Sequence, residues 1–261
     1  MDEALDRPFI FVSGAPRSGT SLLTKVVDAH PDVGILMESI FGNRRHWQRA
    51  DFWSSKDALR RRAARIFRKV PEPIVGNKVC TPDVWTADDI HCFCRLFQDF
   101  EILSVVRDPR SVLISRYQRT DYETEFNSDA REQLLFDFRT PFHAHASSWR
   151  QSIEVYRTLH DRYPDRVKIL YYDDFAANFN EAVDDLPNIL GLEPTNELRH
   201  WNEKPHYDRE GELQRNLKYP DRNVQCFTHA IDELPSKVRN QFEDAMQKVE
   251  TYRELWEHRS I

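Results

Sequence analysis

The residues best suited to chemistry lie in one stretch near the start of the chain, Gly14–Ser21 (GAPRSGTS). It holds two of the seven glycines, follows an apolar run, and precedes a segment of helical period. Successive backbone N–H groups of such a loop, together with the start of the next helix, converge on one point. The stretch therefore predicts an anion-binding loop, and the alternative is an ordinary glycine turn that caps a helix.

This loop differs from the nucleotide-binding P-loop in the position of its cation. The spacing from Gly14 to Gly19 is that of Gly-x-x-x-x-Gly, but Thr20 and Ser21 stand where the nucleotide form has Lys and Ser or Thr. The cation is Arg17, inside the loop. A nucleoside triphosphatase needs its lysine and Mg²⁺ to neutralise a triphosphate. Hydroxyl groups at both positions favour a less charged anion that is held without a metal.

A second candidate anion site follows the apolar run at residues 102–106. Arg107 comes directly after that run, at the carboxyl edge where open α/β sheets bind ligands. Asp108 and Pro109 are typical of the first residues of a helix, and Ser115 lies two turns into it. An arginine and a hydroxyl from these positions can both reach one phosphate. The alternative is a helix start held by a salt bridge.

The pattern along the chain predicts an α/β fold in which a mostly parallel sheet of about five strands is flanked by helices. Strands are predicted at residues 8–13, 33–37, 74–79, 102–106 and 167–172. Helices are predicted at 20–30, 55–69, from 109 onward, 143–162, from a cap at Asp173 or Asp174 to Gly191, and 236–256. We expect a single domain over 1–261, with a core at 8–192 and a C-terminal helical extension at 193–261.

Composition excludes several classes of function. The chain has 37 Lys and Arg against 43 Asp and Glu, a net charge of −6, which argues against a nucleic-acid partner. No apolar run approaches the roughly 20 residues of a membrane span, and the acidic N-terminus does not resemble a signal peptide, so a cytoplasmic location is predicted. The four cysteines are expected to be reduced thiols, with no metal site.

Taken together, the two candidate anion sites resemble the sulfotransferase family that uses 3′-phosphoadenosine 5′-phosphosulfate (PAPS). Residues 16–23 look like its 5′-phosphosulfate loop, and residues 107–117 look like its 3′-phosphate motif. Further similar segments follow in the expected order, at residues 30–38, 76–78, 171–175 and 190–192. The resemblance covers residues 8–192 and implies a P-loop-type three-layer fold.

The resemblance also implies roles for individual residues. It places the 5′-phosphosulfate on Arg17, Ser18, Gly19, Thr20 and Ser21. Arg107 and Ser115 would bind the 3′-phosphate, and Tyr172 would contact the adenine unless it is a core tyrosine. Arg17 and Lys78 would be the catalytic cations, although Lys78 could instead be a solvated surface lysine.

The catalytic base is the least certain assignment. Cytosolic members of the family have a histidine where this chain has Cys80. In the protein-tyrosine and many bacterial branches a glutamate serves instead, and Glu38 stands at that position. The alternatives are a capping or surface role for Glu38, with His46 or His91 as the base.

The implied activity is transfer of a sulfuryl group from PAPS to an acceptor hydroxyl by in-line displacement, without a metal. The products are a sulfate ester and 3′-phosphoadenosine 5′-phosphate (PAP). The acceptor would be a small molecule or a carrier-bound group, and the arginine-rich helix at 55–69 would either face solvent or favour an acidic acceptor. Arg209, Arg215 and Lys218 are candidates for a lid over the nucleotide. The alternatives are a P-loop kinase or NTPase and a catalytically silent PAP-binding protein.

Overall fold

The computed structural model describes residues 3–37, 56–81, 85–126, 141–207, 211–214, 231 and 236–252. The strands are β1 (Phe9–Gly14), β2 (Val33–Met37), β3 (Ile74–Cys80), β4 (Phe100–Val106), β5 (Val167–Tyr171), β6 (His206–Tyr207) and β7 (Leu213–Gln214). The α-helices are α1 (Thr20–Asp28), α2 (Lys56–Phe67), α3 (Ala87–Cys94), α4 (Pro109–Phe126), α5 (Pro141–Arg162), α6 (Tyr172–Ala177), α7 (Phe179–Leu190) and α8 (Ser236–Gln247). Short 3₁₀ turns lie at Glu197–His200 and Glu250–Tyr252.

The first five strands form one parallel sheet in the order β2-β3-β1-β4-β5, which confirms the predicted α/β class. Strand β1 lies in the middle, where Gly14 is in register with Cys80 of β3 and with Val105 of β4. Because the strands are parallel, their carboxyl ends meet at one edge of the sheet. The loop after β1 and the residues after β4 therefore lie side by side.

Alternate side chains of β1 enter two separate cores. Phe9 and Phe11 belong to an aromatic core with side chains of α2, α3, α5 and α8. Ile10 and Val12 belong to the other core, which is closed by α1 and α7. Every residue of β1 is buried, as its mostly apolar sequence predicts for a central parallel strand.

Several predicted element boundaries are wrong. Strand β5 ends at Tyr171, so Tyr172 is the first residue of helix α6 and not the last residue of the strand. Neither Asp173 nor Asp174 caps that helix: Tyr171 is the N-cap, without a side-chain hydrogen bond, and the Asp173 carboxylate instead accepts from the backbone N–H of Asp108. Helix α8 ends at Gln247, short of the predicted 256.

A segment after residue 200 holds the far end of α1. Asp28, the last residue of α1, accepts from His206 Nδ1 at 2.8 Å and from the backbone N–H of Ile35 at 2.6 Å. His206 Nε2 contacts the carbonyl oxygen of Trp201 at 3.1 Å. The two ring nitrogens thus face two acceptor oxygens, and the ring joins the end of α1 to the backbone at Trp201. Lys204 Nζ also donates to the carbonyl oxygen of Asp28. The helix that begins at the predicted anion-binding loop is therefore anchored at its other end.

Candidate functional site

The loop after β1 has a left-handed backbone at two positions, Arg17 (φ 74°) and Gly19 (φ 98°). Ser18 lies between these two residues and closes the turn that begins at Ala15. Its backbone N–H and its hydroxyl both donate to the carbonyl oxygen of Ala15, at 3.0 and 2.6 Å. Gly19 is the N-cap of α1 and provides no side-chain hydrogen bond to the helix. The first N–H groups of α1 therefore point toward the space above the loop, which is the arrangement that binds an anion.

Both glycines of the loop are required by close contacts. A Cβ at Gly14 would lie 2.3 Å from Thr20 Cγ2, and a Cβ at Gly19 would lie 2.1 Å from Tyr172 Cδ2. The ring of Tyr172 thus packs directly on the loop backbone. Tyr172 is buried, and it belongs to the same core as the apolar residues of α1. Its predicted contact with an adenine remains a prediction.

Arg107 is buried at the end of β4 and contacts the loop. Its Nη1 donates to the carbonyl oxygen of Arg17 at 3.1 Å, and its guanidinium carbon lies 4.5 Å from the centre of the Tyr172 ring. Its Nε and Nη2 are buried without a hydrogen-bond partner. A buried donor left unsatisfied costs about 1–3 kcal/mol, and more for a charged group. A phosphate oxygen would satisfy the Nη2 donor, so the residues present fit the 3′-phosphate of PAPS.

Ser115, one turn and a half into α4, joins the two predicted sites directly. Arg17 Nε donates to Ser115 Oγ at 3.0 Å, and Ser115 is buried. Trp149 of α5 donates its indole N–H to the carbonyl oxygen of Arg107 at 3.1 Å and so fixes the backbone between β4 and α4. The structure therefore brings Arg17, Arg107 and Ser115 together, across about 100 residues of sequence.

Lys78 lies in β3, in register with Val12 on one side and Met37 on the other. It is 3% exposed, so it is not a solvated surface lysine. Alternation along β3 places Lys78 on the same face as Cys80. The Cys80 sulfur lies 3.9 Å from the Thr20 hydroxyl oxygen at the start of α1. Lys78 therefore shares the sheet face on which the loop and α1 lie.

Several predicted residues fall outside the described part of the chain: Glu38, His46, Arg209, Arg215 and Lys218. The last described residue before Glu38 is Met37, which pairs with Lys78. His91 lies in α3, where its Nδ1 is hydrogen-bonded to the hydroxyl of Tyr163 and the two rings stack. This contact with Tyr163 indicates a structural role for His91.

A buried group of hydroxyls at the base of the loop was not predicted from the sequence. Ser13 and Tyr156 each contact the Thr81 hydroxyl, at 3.3 and 3.0 Å, and the Thr81 N–H donates to the carbonyl oxygen of Gly14. Burial raises the pKa of the Tyr156 hydroxyl, which is therefore neutral. The polar Ser13 within an apolar strand was the only local signal of this network.

The arginine-rich helix is α2, and it is amphipathic. Its apolar side chains, Leu59, Ala63, Ala64 and Phe67, are buried. The side chains of Arg60, Arg61, Arg65 and Arg68 are exposed, which gives the helix a basic face on a chain of net negative charge. A role of this face in acceptor binding remains a prediction.

Three further observations concern metals, membranes and thiols. The described residues contain no group of three or more His, Cys, Asp or Glu side chains arranged around a possible metal ion. Among the described helices, none has both the length and the apolar character to cross a bilayer. Cys80, Cys92 and Cys94 are free thiols, and burial raises the pKa of Cys94.

Comparison with known proteins agrees with this geometry. The family model described as "Sulfotransferase domain" matches residues 7–225. The protein-tyrosine sulfotransferase of Drosophila melanogaster is 24% identical over 258 residues, which cover 89% of this chain and 49% of that protein. Protein-tyrosine sulfotransferase 1 of Mus musculus is 31% identical over 169 residues, 58% of this chain and 42% of that protein. The chain thus spans about half the length of these two curated relatives.

Solved structures show the same fold. The sulfotransferase domain from the curacin biosynthetic pathway matches with a TM-score of 0.56 at 13% identity, over 95% of this chain and 98% of that one. Mouse sulfotransferase SULT7A1 complexed with PAP matches with a TM-score of 0.54 at 15% identity, over 97% and 89% of the two chains. The family model covers most of the chain, and the fold agrees with it. The chain belongs to the sulfotransferase domain family.

Proposed function

We propose that this protein transfers a sulfuryl group from PAPS to an acceptor hydroxyl and releases PAP. One observation carries the proposal: Arg107, at the predicted 3′-phosphate site, is bonded to the carbonyl oxygen of Arg17 in the predicted 5′-phosphosulfate loop. The two anion sites are therefore one continuous surface, as a nucleotide with phosphates at both positions requires. Family membership and the PAP complex of a structural relative support the same reading.

We assign the roles within the site as follows. The loop residues Arg17 to Ser21 hold the 5′-phosphosulfate through N–H groups, hydroxyls and one guanidinium. Arg107 and Ser115 hold the 3′-phosphate. Arg17 and Lys78 stabilise the negative charge that develops on the leaving phosphate. Positioning and electrostatic stabilisation provide most of the rate enhancement in this class of group transfer.

Glu38 is the proposed base for the acceptor hydroxyl. Support comes from the neighbouring strand, where Cys80 occupies the position that a histidine holds in cytosolic members of the family. The Cys80 thiol contacts the Thr20 hydroxyl and is no substitute for a histidine base. A carboxylate in a partly apolar cleft can accept a proton once its proton affinity is raised.

The acceptor is proposed from the relatives. Because the named relatives are protein-tyrosine sulfotransferases, we take a tyrosine hydroxyl in a peptide as the first candidate. Small-molecule and carrier-bound hydroxyls are the second. We also propose that the reaction needs no metal, because Thr20 stands in place of the lysine that an NTPase loop uses together with Mg²⁺ to neutralise a triphosphate, and the cation of this loop is Arg17. The cytoplasmic location and the single-domain organisation stay predictions.

The experiment is a transfer assay with [³⁵S]PAPS in EDTA, with tyrosine peptides and a panel of phenols, sugars and lipids as acceptors. We expect label on at least one acceptor for the wild type, and a loss of at least 100-fold in turnover for Glu38→Gln with PAP affinity retained. PAP binding without transfer to any acceptor would favour the silent binding protein. ATP hydrolysis that depends on Mg²⁺ would favour the kinase or NTPase alternative.

A further inference from the structure

Asp173 is the second residue of α6 and lies just beyond the end of β5, next to the end of β4 that is followed by Arg107. Val106 of β4 is in register with Tyr171 of β5, so the residues just beyond each strand are neighbours. Asp173 Oδ2 accepts from the backbone N–H of Asp108 at 2.9 Å, and Asp173 Oδ1 lies 3.9 Å from Arg107 Nε. In the described part of the chain, no other carboxylate lies within 4.0 Å of this guanidinium. Asp173 is thus joined to Arg107 and to the start of α4.

The position of the Arg107 guanidinium is set by three contacts. Nη1 donates to the carbonyl oxygen of Arg17, the carbon centre lies over the Tyr172 ring, and Nε faces Asp173. A long side chain loses rotamer entropy when it is held in one place, so each contact matters to its orientation. Arg17, whose carbonyl oxygen accepts the hydrogen bond from Nη1, has a left-handed backbone. Arg107 therefore supports the loop conformation as well as the phosphate site.

A carboxylate this close to a phosphate site has two opposing effects. It repels the phosphate, and it orients the arginine that binds the phosphate. The repulsion is offset here, because the Asp173 charge is already balanced by Arg107 and by the N–H group of Asp108 at the start of α4. Asp173 is also 35% exposed, so solvent screens its field further. Orientation is therefore the larger effect.

We propose that Asp173 is a positioning residue for donor binding: it holds Arg107 against the Arg17 carbonyl and directs the remaining guanidinium N–H groups to the 3′-phosphate. This inference rests on the proposed function, because it takes the donor's 3′-phosphate as the ligand of Arg107. Asp173 itself does not contact the donor in this account. Its effect should therefore disappear when Arg107 is absent.

The test is calorimetric titration of the full chain with PAP and with AMP, which lacks the 3′-phosphate. Asp173→Asn keeps an oxygen for the Asp108 N–H and removes the charge. We expect PAP binding to weaken about tenfold, equivalent to about 1.4 kcal/mol, and AMP binding to weaken about threefold through the loop contact. In an Arg107→Ala background the same substitution should change neither affinity, which is the non-additivity expected of a residue that acts through another.

The neighbouring Asp174 provides a matched control. The substitution Asp174→Asn removes one charge at the next position, but the Asp174 side chain lines a separate cavity with Leu170, Phe175 and Asp185. Asp174→Asn should leave PAP affinity unchanged. Asp173→Glu, which keeps the charge, should stay within about threefold of the wild type, and thermal unfolding should show that each variant is folded.

Three results would overturn the inference. The first is unchanged or tighter PAP binding by Asp173→Asn, which would mean that the carboxylate only repels the phosphate. The second is a tenfold loss that persists without Arg107. The third is an equal loss in Asp173→Glu. A wild type that binds no PAP would instead overturn the proposed function, and the two failures are therefore distinguishable.

Discussion

Replacing Gly19 with alanine should damage donor binding far more than its small change in volume suggests. The added Cβ would lie 2.1 Å from Tyr172 Cδ2 and 2.3 Å from Cε2, and no real Cβ contact is that short. The φ angle of 98° adds backbone strain of about 1–2 kcal/mol for a residue with a side chain. The aromatic ring must move, which adds a further cost of about 1–3 kcal/mol for overpacking. We therefore expect a total loss of about 2–5 kcal/mol in the free energy of unfolding.

Displacement of the Tyr172 ring should also weaken donor binding. Tyr172 lies under Arg107, which in turn holds the Arg17 carbonyl, so a shift of the ring disturbs both anion sites. We expect PAP affinity to fall at least 30-fold, equivalent to about 2 kcal/mol. Urea unfolding measures the stability, and calorimetric titration with PAP measures the affinity.

Gly191 provides the matched control for this experiment. It also has a positive φ, 66°, but an added Cβ there meets no atom within 4 Å. Gly191→Ala should therefore cost only the backbone strain, about 1–2 kcal/mol, and leave PAP affinity unchanged. Equal losses of stability in the two variants, or a Gly19→Ala variant that binds PAP as tightly as the wild type, would contradict the importance of the close contact between Gly19 and Tyr172.

Three further predictions concern other parts of the site and its support. Arg107→Ala should weaken PAP binding about 100-fold, as expected when charged hydrogen bonds worth about 1.5–3 kcal/mol are lost, and AMP binding less; equal affinity for PAP would place the 3′-phosphate elsewhere. His206→Gln should lower the free energy of unfolding by about 1–3 kcal/mol, because it disrupts the buried hydrogen bond from the His206 ring to the Asp28 carboxylate; an unchanged free energy in urea unfolding would contradict this role of the ring. Burial, and to a lesser extent Arg116, lowers the pKa of His145 from 6.5 to about 3. As the pH falls, the unfolded chain therefore binds this proton before the folded chain does. The free energy of unfolding should then decrease by about 1.4 kcal/mol for each unit that the pH falls between these two values. Acid unfolding curves of His145→Gln should lack that component, and an identical curve would contradict the burial of a neutral histidine.

The sequence predicted those parts of the site that depend on local order along the chain. A buried strand, a glycine loop and a helix follow one another at Gly14 and Gly19, and their geometry depends on few other residues. The same holds for Arg107, because a parallel strand that ends in Arg-Asp-Pro places its arginine at the carboxyl edge. These predictions needed only the period of the apolar residues and the turn chemistry.

Contacts set by strand register could not be read from the sequence. Tyr172 was predicted at the end of a strand, but its apolar period does not distinguish the last strand residue from the first helix residue. The contact between Asp173 and Arg107 requires the pairing of β4 with β5, which the pattern of either strand alone does not fix. The Asp28–His206 pair joins residues 178 positions apart, and only the assembled core brings them together.

The loop after β1 and the Arg107–Ser115 site are expected to bind one nucleotide together, without a metal. This is measured by calorimetric titration of the wild type with PAP in EDTA, with AMP and ATP·Mg²⁺ as comparators. We predict one PAP per chain, binding at least tenfold tighter than AMP, with no effect of added Mg²⁺. Equal affinity for PAP and AMP, or binding of ATP only with Mg²⁺, would contradict the claim.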